Sequence, residues 1–297
     1  MNLVANAAVT YKDFQAGSTV VSGQKVAFRL FVPKGYDPTK KYPIMVTLHG
    51  AGERGVDDSM QLVHYFNRTW ADSAAQAVNP TFVLAPQCPT AYQWVNTPWA
   101  NGSYNYLSKP ITVPMQGAVN ILDSLEKKYS LDANRYYVSG ISMGGYGAWY
   151  LLLMYPQRFA AGVPVCGGAD TSRGPAIAKV PVWAFHAEDD GAVPVKGTRE
   201  MIAAMRKAGG NPKYTEYPAA QRIGHESWVP AAQRTDLVPW VYSQARFVTT
   251  LSPLRHAKPG KNQWQAGGLP FGFLSGDEWS DALGRLLNTG GNTPSIR

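Results

Sequence analysis

Tyr136-Tyr137-Val138-Ser139-Gly140-Ile141-Ser142-Met143-Gly144-Gly145-Tyr146-Gly147-Ala148 is the stretch on which the fold of this chain turns. The short apolar run ending at Val138 predicts a buried strand, and the nearly all-apolar residues 144–155 predict a helix. Between them stands Gly-x-Ser-x-Gly, with Ser142 on the turn. Small residues two positions either side let neighbouring segments close on the serine. Its strained backbone then lifts the hydroxyl above the sheet, at a helix N-terminus whose N–H groups favour developing negative charge. A Gly-Ser turn also serves as a plain connector. Strand, turn and helix falling in this order favour a nucleophile instead.

Similar apolar runs recur at 43–48, 82–85, 160–165 and 182–185, each leading into Gly, Pro or polar loop residues. Such runs suit strands buried on both faces, as in parallel sheets. Helical patterns lie between them. Residues 114–129 set Val119, Leu122, Leu125 and Tyr129 on one face, and 195–208 end at Gly209-Gly210, a C-cap signature. The alternation predicts an α/β fold with an open, mostly parallel central sheet and helices on both faces. Upstream, Val26, Phe28, Leu30 and Val32 alternate with other residues, predicting an edge hairpin strand with one buried face. Residues 1–247 read as the catalytic domain. Beyond it the chain turns rich in Pro, Gly and Lys, then places Trp279, Leu283, Leu286 and Leu287 at helical spacing, so 248–297 read as an extension with one short amphipathic helix.

Composition narrows the function classes. Hydrophobic residues make up 45% and charged residues 16%, which excludes a disordered chain. The net charge of +8 comes without a Lys/Arg cluster interleaved with aromatics, which argues against nucleic-acid binding. Two cysteines, Cys88 and Cys166, form neither a disulfide framework nor a zinc-ligand spacing, so neither a metal nor a cofactor is expected. No stretch approaches the ~18 apolar residues of a membrane span. The first ten residues lack a basic and then apolar leader, so the chain as given reads as soluble, and a secreted or periplasmic origin with the leader removed is compatible with it.

A serine alone is a poor nucleophile and needs a base with a group to orient it. The loop after strand 182–185 carries Glu188, Asp189 and Asp190, which the residues alone do not separate. After strand 213–217, the loop 222–228 offers His225 as the base. His49 and His186, at strand ends, read as structural imidazoles; His64 and His256 read as surface residues.

Seven segments carry a wider likeness: Tyr36-Asp37-Pro38, 42–55 with His49-Gly50-Ala51-Gly52-Glu53-Arg54-Gly55, Ala85-Pro86-Gln87-Cys88-Pro89, 140–147, Val165-Cys166-Gly167-Gly168, the Asp190 loop and Gly224-His225-Glu226-Ser227-Trp228. In order and spacing they resemble the esterase branch of the α/β-hydrolases, which holds carboxylesterase, feruloyl-esterase-like and poly(3-hydroxybutyrate)-depolymerase-like enzymes. The resemblance implies that His-x-x-x-Asp-x-x-Val-Pro selects Asp190 as the acid of a Ser142, Asp190, His225 triad. It implies an oxyanion hole from the backbone N–H groups of Ala51 and Met143, with Glu53-Arg54 bracing that loop. The strands before Cys88 and Cys166 are not neighbours in such a fold, so two free thiols are expected. A cleft at the carboxyl edge of the sheet would draw walls from the aromatic stretch 92–106 and from Trp228, with Trp94, Trp99 and Trp228 as substrate-binding residues. The implied substrates are short-chain or aryl, feruloyl-like esters, as small molecules or linked to polysaccharide. A polyester depolymerase or a lactone hydrolase is the alternative; a same-fold peptidase would commonly carry a large extra domain, and a ligand-binding relic would have lost a triad member.

Overall fold

In the computed structural model, which describes residues 9–246, the apolar runs become strands whose alternate side chains enter two different cores. The strands β1 (Gln15–Val21), β2 (Gln24–Phe31), β3 (Tyr42–Leu48), β4 (Phe82–Pro86), β5 (Leu131–Ile141), β6 (Ala161–Val165), β7 (Trp183–Ala187) and β8 (Lys213–Tyr217) form one sheet. Its order is β1-β2-β4-β3-β5-β6-β7-β8. β2 pairs antiparallel with β1 and β4, and every other pair is parallel. The helices are α1 (Tyr65–Arg68), α2 (Ser73–Val78), α3 (Val113–Lys128), α4 (Met143–Met154), α5 (Val195–Lys207), α6 (Trp228–Ala232) and α7 (Leu237–Tyr242).

Strand periodicity explains the two cores, since successive side chains point to opposite faces. Ile44, Val46 and Leu48 of β3 and Tyr136 and Val138 of β5 meet α3, α4 and α5 through residues such as Met115, Leu122, Trp149 and Met201. Met45, Tyr137 and Ile141 face the other way, towards Phe66 of α1, Trp228 of α6 and Leu237 and Val241 of α7. Each large side chain so buried contributes about 1.5–3 kcal/mol. α4 is buried from Met143 to Leu153, which is why it is apolar all round.

Two expectations shift, while the hairpin at the sheet edge is found where it was expected. β2 is buried on both faces, with Val26 and Leu30 in one core and Phe31 in the other, because it pairs with β4 inside the sheet rather than closing its edge. β1 is the edge strand, joined to β2 through Ser22 (φ 48°) and Gly23 (φ 77°), the left-handed pair a tight hairpin turn demands. β5 reaches back to Leu131 through polar residues, since the backbone ladder to β3 begins at Tyr42. Cys88 and Cys166 are free and buried, following β4 and β6, which β3 and β5 separate. The extension 248–297, with its Trp279–Leu287 helix pattern and His256, lies outside the described residues. No described helix is long and apolar enough to cross a membrane.

Candidate active site

The loops that matter leave the carboxyl ends of β3, β5, β7 and β8. At the end of β5, Ser142 adopts φ 52° and ψ −117°, a region that costs a non-glycine residue about 1–3 kcal/mol. Its surroundings impose this conformation: Ser142 N–H donates to Val165 O at 2.9 Å, and Tyr146 N–H donates to Ser142 O at 3.1 Å. The glycines are packing requirements. A Cβ on Gly140 would lie 2.1 Å from Gly144 O, and one on Gly144 would lie 2.1 Å from Leu48 O.

Ser142, His225 and Asp190 are brought together. His225 Nε2 lies 2.7 Å from Ser142 Oγ, and Nδ1 lies 2.8 Å from Asp190 Oδ2 and 3.0 Å from Oδ1. An ionised carboxylate only accepts, so Nδ1 carries the ring proton and Nε2 is left to accept from the serine hydroxyl. The Asp190 side chain is fully buried, and Oδ1 also accepts the Ala192 and Val193 N–H groups, each at 2.9 Å. Burial works to raise its pKa, but hydrogen bonds from His186, His225 and Val193 outweigh it and hold the carboxyl well below the usual carboxylate range. The neighbouring acids are employed elsewhere. Glu188 pairs with Arg199 and accepts from Ala219 N–H, while Asp189 accepts Gly224 N–H at 3.0 Å and so anchors the histidine loop.

Ala51 opens a short 3-10 turn (Ala51–Glu53) after β3, and Met143 opens α4. The first N–H groups of a helix have no acceptor within it, so both amides are available to an outside oxygen. The loop closes on the serine: a Cβ on Gly50 would meet Ser142 Cβ at 3.6 Å and Glu53 Oε2 at 2.8 Å. His49 pins the loop to the end of β4. Its Nδ1–H donates to Gly50 O at 2.6 Å, and Nε2 accepts Cys88 N–H at 2.9 Å. Burial pushes its pKa down to about 4, which keeps the imidazole neutral. Arg54 braces the loop as expected, its Nε donating to Ala51 O at 2.8 Å. Glu53 pairs not with Arg54 but with His64, at 3.1 Å.

That pair corrects the reading of His64 as a bland surface residue. Its ring is half-buried and meets Trp228 edge-on at 5.2 Å, while Trp228 meets His225 at 5.4 Å. In the sequence His64 stands eleven residues after Glu53, and nothing local linked the two. Trp94 is a second correction. It is fully buried in the core, with its indole N–H donating to His49 O at 3.0 Å, so it supports the loop from beneath and offers no surface to a substrate. Trp99 is half-buried, beside the Arg54 guanidinium at 5.7 Å. Among the described residues, one cluster has the makings of a metal site: Cys166, Asp190 and His225, with ligand atoms within 4.8 Å of one another. Burial and the Asp190 charge push the Cys166 thiol well up, which disfavours thiolate ligation there.

A serine strained into such an elbow, on such a sheet, places the molecule among the α/β-hydrolases. Within that class the chain belongs to the esterase family: the family model described as "Putative esterase" matches residues 18–266. A solved structure entitled as a thermostable esterase superposes with a TM-score of 0.72 at 37% identity, over 80% of this chain and 64% of that one. An uncharacterized secreted protein of Arthroderma benhamiae is 24% identical over 268 residues, 74% of this chain and 26% of its own length. Poly(3-hydroxyalkanoate) depolymerase C of Paucimonas lemoignei is 24% identical over 193 residues, 60% of this chain and 42% of its own. The chain thus spans less than half the length of these two curated relatives.

Proposed function

We propose that the protein hydrolyses carboxylic esters through an acyl-enzyme on Ser142, and the observation that carries this is the continuous hydrogen-bond line from Ser142 Oγ through His225 to Asp190. His225 Nε2 takes the hydroxyl proton as Oγ attacks the ester carbonyl, and the carbonyl π pair moves to oxygen. The Ala51 and Met143 N–H groups donate hydrogen bonds to that oxyanion. Collapse expels the alcohol, which takes the proton from Nε2. Water then repeats the sequence, freeing the acid and Ser142. Asp190 holds the tautomer throughout and stabilises the transient imidazolium.

The favoured substrates are short-chain or aryl esters. His64 and Trp99, both half-buried, offer flat, partly polar surfaces beside the serine loop rather than a deep aliphatic channel, whereas Trp228, expected in that wall, is buried against the His64 and His225 rings. A series of p-nitrophenyl esters run beside methyl ferulate tests this: kcat/KM should fall beyond about eight carbons, as each further methylene, worth ~0.8 kcal/mol when buried, finds no contact. A preference for palmitoyl over butyryl esters sinks the short pocket. A polyester reading has one observation in its favour besides the depolymerase likeness. Val63 and Val229, next in sequence to His64 and Trp228, are 47% and 44% exposed, an apolar rim on which a polymer chain could rest. Clearing of a poly(3-hydroxybutyrate) emulsion, lost in Val63→Ser/Val229→Ser, would favour it over the small-ester reading.

A further inference from the structure

Asp190 is gripped from two sides, and the second grip comes from a histidine with no part in the steps above. His186, in β7, is fully buried, and its Nε2 lies 3.0 Å from Val193 O and 3.2 Å from Asp190 Oδ2. Both partners only accept, so Nε2 carries a proton. Nδ1 lies 2.8 Å from the Thr198 hydroxyl of α5, which also reaches Gly167 O at 3.2 Å. The ring is therefore held at both nitrogens. Asp190 Oδ2 is the same oxygen that receives His225 Nδ1 at 2.8 Å, so it is shared between two imidazoles.

We propose that His186 is a positioning residue for the reaction: its Nε2–H, hydrogen-bonded to Val193 O, is shared with Asp190 Oδ2 at 3.2 Å, which fixes the carboxylate towards His225 and divides its charge between the two rings. This rests on the Ser142–His225–Asp190 reading. Packing alone would not need such a donor, because a buried imidazole is costly unless its polar atoms are satisfied, and an apolar side chain would fill the space more cheaply. The sharing has a chemical consequence. A donor on Oδ2 draws negative charge away from His225 and makes its protonated form less favourable. Removing that donor leaves His225 and the Ala192 and Val193 N–H groups to share the carboxylate, so the acid limb of the variant should lie at higher pH than that of the wild type.

The other titratable groups facing Asp190 are the Cys166 thiol after β6 and the Tyr146 phenol of α4, and burial pushes both up, out of the range of an esterase assay. Facing His186 from β8 is Glu216, whose carboxyl is lowered first by Arg199 and only slightly by His186. A change in the acid limb of kcat/KM between variants is therefore the readout of the Asp190 contacts. The test is that limb, measured with p-nitrophenyl butyrate for the wild type, His186→Leu, His186→Gln and Thr198→Val. In His186→Leu the limb should move up by about half a pH unit or more, and plateau kcat should fall about tenfold to a hundredfold, the loss of a charge-assisted hydrogen bond. His186→Gln, which keeps an N–H donor, should retain the wild-type limb. Thr198→Val, which frees the ring from the far side, should shift it in the same direction by less. An unmoved limb in folded His186→Leu, or an equal shift in His186→Gln, overturns the proposal. Should His186→Leu not fold, an unmoved limb in Thr198→Val does so. A serine-directed phosphonate keeps the two readings apart: wild type without an adduct on Ser142 fails the triad reading, whereas labelled Ser142 with an unmoved limb fails only the role of His186.

Discussion

Two histidine–carboxylate pairs touch the Trp228 indole, and they are built differently. In His225–Asp190 the carboxylate is fully buried and its histidine passes the line on to Ser142. In His64–Glu53 the carboxyl group is 10% exposed and the ring 33% exposed, and among the described residues Glu53 is the ring's hydrogen-bond partner. The Glu53 carboxyl is also below its ordinary value, burial raising it and the hydrogen bond and charge of His64 bringing it down. A depressed carboxyl beside an imidazole is thus common to both. What separates them is the strained serine at one end and, at the other, a carboxylate leaning on Gly50 of the loop.

The largest effect should fall on the serine. Ser142→Ala should lower kcat about 10⁴-fold or more while the melting temperature moves little, because the hydroxyl makes the new bond and contributes little packing. Turnover at the wild-type rate in a pure sample would mean that the two pairs do not differ in the way described. Next comes the acid. Asp190→Asn should cost on the order of 10³–10⁴ in kcat, since an amide no longer fixes the tautomer, whereas Glu188→Gln and Asp189→Asn should each cost about tenfold or less. The ranking is the check. Asp189→Asn at the top would shift the acid assignment by one residue, to the group that anchors Gly224.

The elbow was legible because Gly140 and Gly144 are forced by backbone approaches that no side chain survives, and such constraints leave a fixed spacing in the sequence. The strands were legible because both faces are buried, which leaves continuous apolar runs. Neither source of legibility reached the environment of the site. Trp94 sits in a loop rich in aromatics, and only the closing of that loop under His49 decides that it is core and not wall. His64 gains meaning from Glu53 and Trp228, partners that local periodicity cannot join. Three carboxylates in one loop were likewise inseparable until family pattern or geometry ranked them.

A third histidine, with no carboxylate bonded to its ring, serves as the control. His49 is fully buried and its pKa is pushed down from 6.5 to about 4, chiefly by burial. Below pH 6.5 the unfolded chain binds a proton there that the native state refuses, so unfolding free energy falls as pH drops from about 6.5 to about 4 and is constant above that window. The loss should approach ~3 kcal/mol at the bottom of the window. Urea midpoints between pH 4 and 7.5 measure it. His49→Gln should flatten the slope over that range, and an unchanged slope would place the acid sensitivity elsewhere.

The smallest effect concerns His64–Glu53 itself. Glu53 Oε2 lies where a Gly50 side chain would be, so losing the charge should let the Ala51 loop relax without moving Ser142, His225 or Asp190. A whole oxyanion donor is worth about 3–4 kcal/mol, and a donor displaced by a fraction of an ångström should forfeit a part of that. Glu53→Gln and His64→Gln should therefore each lower kcat by about tenfold or less, with KM little changed, and should slow phosphonylation of Ser142 by a similar factor, because that reaction uses the same oxygen site. The two losses should not add in the double variant, since either substitution breaks the one contact. Losses as large as that of Asp190→Asn would make the second pair a relay in its own right. Wild-type rates in both variants would make it surface decoration, and the bracing of the oxyanion loop would then rest on Arg54 and His49 alone.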